Sequence, residues 1–172
     1  MKKENCIQQN SRNFEHASSQ GIESIERTCI FCKIVDGKIP CVKIWEDEKY
    51  IAILDINPNV NGMTLVIPKK HFDSYVFDIN DKEYCELMIA SKKIAKLLDE
   101  KLKVKRTALV MEGLGVNHAH IKLYPIYGLD EKFKEIWAKK KIFFDKYPGY
   151  ITTQLGPEKS VEELKEIARR IK

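Results

Sequence analysis

One long amphipathic segment constrains the architecture of this chain more than any other feature. Between Asn80 and about Lys103, Leu87, Ile94, Leu97, Leu98 and Leu102 recur at three- and four-residue spacings with charges between them. That is the period of a helix buried on one side. Asn80 or Asp81 can cap its first turn. Short apolar runs lie before and after it. Val42 to Trp45 alternates like a strand, Tyr50 to Leu54 reads as a buried strand, and Met63 to Pro68 is a third. Arg106 to Met111 is a further strand, and Asn117 to Tyr124 alternates until Pro125 ends it. Strands on both sides of one long helix predict an α+β fold, an antiparallel sheet with helices on one face.

The flanks are less regular. Residues 1–27 are rich in Asn, Gln and Ser, show no lasting period, and read as a flexible N-terminal extension. The stretch Met1 to Glu26 has no apolar core of a secretory signal, and the chain has no run of about 18 apolar residues. A cytoplasmic protein without a membrane span is expected. A domain over 28–128 is followed by a C-terminal extension, 129–172. In the extension a helical turn is predicted around Lys132 to Lys139. A terminal helix starts at Ser160 with a capping box to Glu163 and is expected to pack on the domain. A shorter helical turn is predicted within His71 to Phe77.

The 172 residues suffice for one good core, and 44% of them are apolar. The net charge of +5 suits a phosphate-bearing substrate but is too small and too scattered for nucleic-acid binding. The five cysteines, an odd number, argue against a disulfide framework. Among them only Cys29 and Cys32 have a telling spacing, which fits a redox pair, a zinc knuckle or chance. The residues around the pair suggest no helix N-terminus of the kind that activates a redox cysteine. A zinc site needs two more ligands. His71 after a strand end and His118 would complete a closed, structural Cys₂His₂ set.

Of the four histidines, His118 and His120 stand two apart. On a strand they would share a face, with Ala119 and Ile121 turned to the other. A pair of incidental surface histidines is the bland alternative.

In order along the chain, Cys29-Ile30-Phe31-Cys32, Ile39-Pro40, Ile53-Leu54-Asp55, Asn57-Pro58, Leu65 to His71, and His118-Ala119-His120 resemble the histidine-triad (HIT) superfamily. The similarity runs from Cys29 to about Gly128 and is closest to the Hint-type branch. It implies a HIT-like antiparallel sheet with one long and one short helix. It also implies a nucleotide hydrolase or phosphoramidase in which His120 attacks the α-phosphorus of a nucleoside phosphoramidate, an acyl-adenylate or a dinucleoside polyphosphate. Structural Zn²⁺ would sit on Cys29, Cys32, His71 and His118. Asp55 would hold the ribose hydroxyls. Phe31, Ile34, Ile39, Ile53 and Ile56 would line the base pocket, and the amides of Gly115 and Val116 would face phosphate. A purine nucleotide partner and a homodimer, formed by 80–103 and 106–111, follow from the same likeness.

The chain departs from that pattern in places. Lys122 stands where a third histidine is expected, and is assigned here to the catalytic set as a charge that neutralises phosphate. Met111 takes the place of an Asn, and Leu114-Gly115 replaces polar phosphate contacts. Asn117 is expected to face away from His118. These departures keep open a second reading, a nucleotide-binding module with little or no turnover, and a third, a zinc-braced interaction protein.

Overall fold

The computed structural model describes residues 28–153 and 156–171. The extension at 1–27 lies outside the described residues. The elements are α1 (Ile30–Val35), β1 (Lys43–Glu46), β2 (Tyr50–Leu54), β3 (Thr64–Pro68), a single 3₁₀ turn (Val76–Asp78), α2 (Asp81–Leu102), β4 (Arg106–Val110), β5 (Ile121–Ile126) and α3 (Val161–Ile171). The strands form one sheet in the order β1-β2-β3-β5-β4, antiparallel throughout. The α+β architecture expected from the sequence is present.

The β1–β2 hairpin closes on Asp47, whose Oδ1 accepts the amides of Lys49 and Tyr50 at 2.9 and 2.8 Å. Asn80 caps α2 by accepting the Glu83 amide at 3.1 Å. Acidic Asp81 and Glu83 lie in its first turn, where the helix dipole favours them. Leu87, Ala90, Ser91, Ile94 and Leu98 are its buried stripe. They pack on Tyr50, Ala52, Val66, Ile121 and Leu123 of the sheet. The alternate residues Ile51, Ile53, Leu65 and Ile67 face the opposite way and pack with Phe31 of α1. β2 and β3 thus each feed two separate cores, as the two-residue period of a strand requires.

Three local expectations change. Residues 30–35 form a helix, α1, although the short apolar run carries no helical signature of its own. Pro125 does not end the last strand, because β5 runs to Ile126. β3 pairs with β5 only as far as Thr64 opposite Leu123, so Pro125 needs partners on the β4 side alone, opposite Thr107. A missing N–H is tolerated there. And residues 133–138 are not helical. Phe133, Ile136 and Trp137 stand exposed, and a helix without a packing partner has little to hold it.

The terminal helix α3 does form, with its capping box. Ser160 Oγ accepts the Glu163 amide at 3.2 Å, and the Glu163 carboxylate accepts the Ser160 amide at 2.7 Å. Its expected packing on the domain is not seen, since the described α3 residues are all exposed, including Val161, Leu164, Ile167 and Ile171. Among the described residues no helix is long and apolar enough to cross a membrane.

Candidate active site and metal centre

The site is assembled on the α1 side of the sheet from the start of α1 and two loop segments. Cys29 is the N-cap of α1 and Cys32 lies in its first turn, so a helical spacing of three brings both sulfurs to one side. A helix N-terminus therefore does sit at the cysteine pair, against the sequence reading. What distinguishes the site from a redox pair is the two imidazoles beside it. His71 Nδ1 is 3.4 Å from Cys32 Sγ, and His118 Nδ1 is 3.4 Å from Cys29 Sγ and 3.5 Å from Cys32 Sγ. All four ligand atoms lie within 4.8 Å of one another. A tetrahedron with metal–sulfur bonds of about 2.3 Å and metal–nitrogen bonds of about 2.0–2.1 Å has N···S edges of about 3.5 Å. The three N···S distances match such edges, and the four residues could hold a metal ion.

The tautomer of His118 also suits this role. Its Nε2 lies 2.9 Å from the Pro68 carbonyl, which only accepts, so Nε2 carries the proton and Nδ1 offers its lone pair to the sulfurs' side. His118 is fully buried, and that burial, reinforced by the neighbouring His71 and His120 and opposed by the Pro68 bond, pushes its pKa down to about 4. His71 Nε2 is buried without a hydrogen-bond partner, with the Asp73 carboxylate 3.8 Å away.

His118 and His120 are not on the strand itself but on the bent segment that enters β5. The His118 amide bonds the Val116 carbonyl at 2.8 Å instead of a neighbouring strand, which bends the chain there. His120 Nδ1 lies 2.8 Å from the His118 carbonyl. By the same logic Nδ1 is protonated, and Nε2 is left as the lone-pair nitrogen. The Phe31 ring meets the His120 ring edge to face at 5.2 Å. Burial lowers the His120 pKa, partly offset by the bond to the His118 carbonyl. The Lys122 charge adds to the lowering, and Asp55 and Glu112 oppose it. The result is a neutral imidazole near pH 7, the nucleophilic form.

Lys122 shares this face. It lies opposite Leu65 of β3 and Val110 of β4, and its Nζ donates to Glu112 Oε2 at 3.1 Å. Met111 packs instead into the core under α2. The alternation that buries Met111 turns Glu112 to the site, a residue that the sequence alone did not single out. Asn117 makes two contacts that its sequence position did not foretell. Its Oδ1 accepts the Ser74 amide at 3.0 Å and its Nδ2 donates to Asp73 at 2.9 Å. These two bonds strap the histidine segment to the loop after His71. The Ala119 amide bonds the Phe72 carbonyl at 2.8 Å in the same strap. Gly113, at φ +71°, belongs to it too, because a Cβ there would lie 2.9 Å from the Ser74 carbonyl oxygen.

The remaining expected site residues divide. Phe31 and Ile53 are buried in the α1-side cluster, and Ile34 and Val116 pack against it. Ile39 is half-buried outside that cluster, and Ile56 stands apart at 89% exposure. Asp55 accepts the Asn57 amide at 2.8 Å, a tight turn that holds its carboxylate at the end of β2. Gly115 has φ +87° and open space around its Cα. A separate cleft of about 670 Å³ between Arg106 and Trp137 contains none of these residues.

With this geometry in place, comparison with known proteins is direct. The HIT domain matches residues 36–126, more than half of the chain. This chain belongs to the HIT domain family. A HIT-like protein of Methanocaldococcus jannaschii, itself uncharacterized, is 37% identical over 122 residues, covering 68% of this chain and 93% of that protein. An adenosine 5'-monophosphoramidase of Saccharomyces cerevisiae is 33% identical over 126 residues, covering 72% of this chain and 78% of that enzyme. A zinc-bound histidine triad protein from Mycobacterium smegmatis superposes with a TM-score of 0.57 at 30% identity, over 62% of this chain and 80% of that one. The HIT family thus includes nucleotide hydrolases, and the four grouped ligands of this chain could hold a metal ion.

Proposed function

We propose that this HIT protein is a nucleotide hydrolase or phosphoramidase working through a nucleotidyl-histidine intermediate on His120. The observation that carries the reading is the 2.8 Å bond from His120 Nδ1 to the His118 carbonyl, which fixes Nε2 as the attacking nitrogen. In the first step Nε2 bonds the α-phosphorus of a nucleoside phosphoramidate, an acyl-adenylate or a dinucleoside polyphosphate. The bond to the amine, carboxylate or phosphate leaving group breaks, an amine taking up a proton from solvent as it departs, and the attacking water of the second step returns that proton. In the second step water attacks the same phosphorus, the P–N bond to His120 breaks, and a mononucleotide leaves.

Asp55 accepts the ribose hydroxyls. Phe31, Ile34, Ile53 and Val116 give the base an apolar wall, with Ile39 and Ile56 at its rim. The amides of Gly115 and Val116 and the charge of Lys122 meet the phosphate oxygens. Zn²⁺ on Cys29, Cys32, His71 and His118 is a brace: four protein ligands leave no coordination position for substrate. A cytoplasmic location is part of this reading, and thiolate ligands that must stay reduced support it. A homodimer through α2 and the edge strand β4 is part of this reading. It is supported by Ile89 and Leu109, apolar residues of these elements that stand exposed.

The test is hydrolysis of a fluorogenic adenosine phosphoramidate, with mass detection of a nucleotidyl adduct on His120. Wild type should release AMP after a burst and His120→Ala should not. Equal, slow release from both proteins would refute the proposal. One observation favours the second reading, a binding module without turnover. A lysine paired with Glu112 stands in place of a third imidazole, and such a lysine is a weaker proton shuttle at neutral pH. AMP would then raise the melting temperature with no product formed. Loss of zinc-edge anomalous signal from crystals would remove the zinc assignment.

A further inference from the structure

The Lys122–Glu112 pair has the features of a built device. Its side chains are only 21% and 13% exposed, so it is not a solvated surface pair of the kind that contributes little. Lys122 is held by its register on β5, and Glu112 by the end of β4 two residues beyond Val110. A lysine stem is flexible, and an ammonium without a fixed acceptor swings toward water. Glu112 is fixed in turn. While Oε2 accepts from Lys122, Oε1 accepts the hydroxyl of Tyr147 from the C-terminal extension. The chain of contacts therefore runs from residue 147 through a carboxylate to the face that holds His120. An ammonium has three donors, so the two not used by Glu112 remain for phosphoryl oxygens.

We propose that Glu112 is a positioning residue for Lys122, and that Tyr147 orients Glu112, so that the extension around residue 147 is part of the working site. The inference rests on the nucleotidyl-transfer reading and deepens it. Lys122 meets charge that develops on the phosphoryl group and on the departing atom. Glu112 touches neither and acts only through Lys122. The lysine's contribution should be greatest when the leaving group is poor, because more negative charge then accumulates in the transition state.

The experiment is a double-mutant cycle of Glu112→Gln and Lys122→Met, with Tyr147→Phe as a third variant. Each protein is assayed on two adenosine phosphoramidates, one with an alkyl amine and one with a more acidic aryl amine. AMP affinity and melting temperature are measured on the same samples. Glu112→Gln should lower kcat on the alkyl amine by roughly 10-fold or more, with a smaller loss on the aryl amine. It should cause no further loss in the Lys122→Met background. Tyr147→Phe should show a weaker loss with the same dependence on Lys122 and on the leaving group. It tests the chain of contacts without removing a charge, so it stays informative if Glu112→Gln destabilises the fold.

Independent, multiplying losses would overturn the inference. So would equal losses on both amines, or a rise in AMP affinity or rate in Glu112→Gln, which would mean that Glu112 competes with phosphate for Lys122. If wild type and His120→Ala turn over equally slowly, it is the hydrolase reading that fails. The cycle is then scored on AMP affinity alone, where a loss in Glu112→Gln that vanishes in the Lys122→Met background upholds the positioning role, and an additive loss or a gain overturns it.

Discussion

The two faces of the sheet are built from the same strands, yet they hold together by different means. Under α2, Tyr50, Ala52, Val66, Ile121 and Leu123 meet Leu87, Ala90, Ile94 and Leu98, an apolar surface closed by a 22-residue helix. Under α1, Ile51, Ile53, Leu65 and Ile67 meet Phe31 of a six-residue helix, with the partly buried Ile34, Cys41 and Val116 beside them. The chain continues from there into His120, Lys122 and Glu112. A six-residue helix is far below the length that is stable by itself. In the reading proposed here, a metal ion on Cys29, Cys32, His71 and His118 would anchor the α1 face. Packing would then secure one face and ligand chemistry the other, with β5 linking them. Ile121 and Leu123 point to the first face while Lys122 points to the second.

The largest effect that could break this contrast is metal removal. In the reading proposed here, chelation lowers the unfolding free energy strongly, by several kcal/mol, and the melting temperature with it. The upper bound is on the order of 10 kcal/mol, the lower end of apparent binding energies in small zinc domains. Hydrogen exchange should show residues 29–35 and 113–121 losing protection first, with the α2 amides keeping the most. If α2 loses protection in step with α1, the two faces form one cooperative unit and the contrast fails.

The next effect concerns chemistry. His120→Ala should reduce turnover by about 10³-fold or more, as loss of a nucleophile does in other covalent enzymes. Its stability cost should stay within the ordinary range of about 0.5–3 kcal/mol. Smaller in free energy is the mirror experiment on the packing face. Ile94 is fully buried, so Ile94→Ala should cost about 2–5 kcal/mol in denaturant unfolding. AMP affinity of the molecules that remain folded should be unchanged. A matching loss of affinity would show that the α2 core shapes the site directly.

The legibility of the sequence follows the same division. α2 was readable in full, because its cap at Asn80 and its stripe at Leu87, Ile94 and Leu98 all signal a helix. The strands that feed its core were readable, β1 and β5 by alternation and β2 and β3 as short apolar runs. The set Cys29, Cys32, His71 and His118 was readable because few residue types bind metals and the chain holds few of them. What escaped were features decided by contacts between distant segments. α1 is too short for a period, and only its place against the sheet makes it a helix. His118 and His120 have strand-like spacing, but the strap of Asn117, Ala119 and Gly113 onto residues 72–74 holds them off the ladder. Glu112 carried no signal at all until β4 and β5 were paired and Tyr147 was brought beside it.

The smallest expected effect tests whether ion pairs also help to seat the metal-bearing loop. Glu46 at the end of β1 bonds Lys43 at 2.6 Å and Lys69 at 2.7 Å. Lys69 lies two residues before His71. Side-chain hydrogen bonds from Lys43, then from Lys69, hold the Glu46 carboxyl down at about 2, against an ordinary value of 4.5. A carboxylate depressed in the folded state adds stability that is complete above the unfolded pKa and fades as pH falls through the folded one. The contribution is therefore full above about pH 5 and is lost between there and about pH 2. Since the pair is exposed, its size should be slight and screened by salt. In acid titrations of metal-free protein, wild type and Glu46→Gln should differ slightly at pH 7 and converge toward pH 2. Curves that stay parallel down to pH 2 would show that Glu46 adds nothing through its charge. The α1 face would then depend on its four ligands alone.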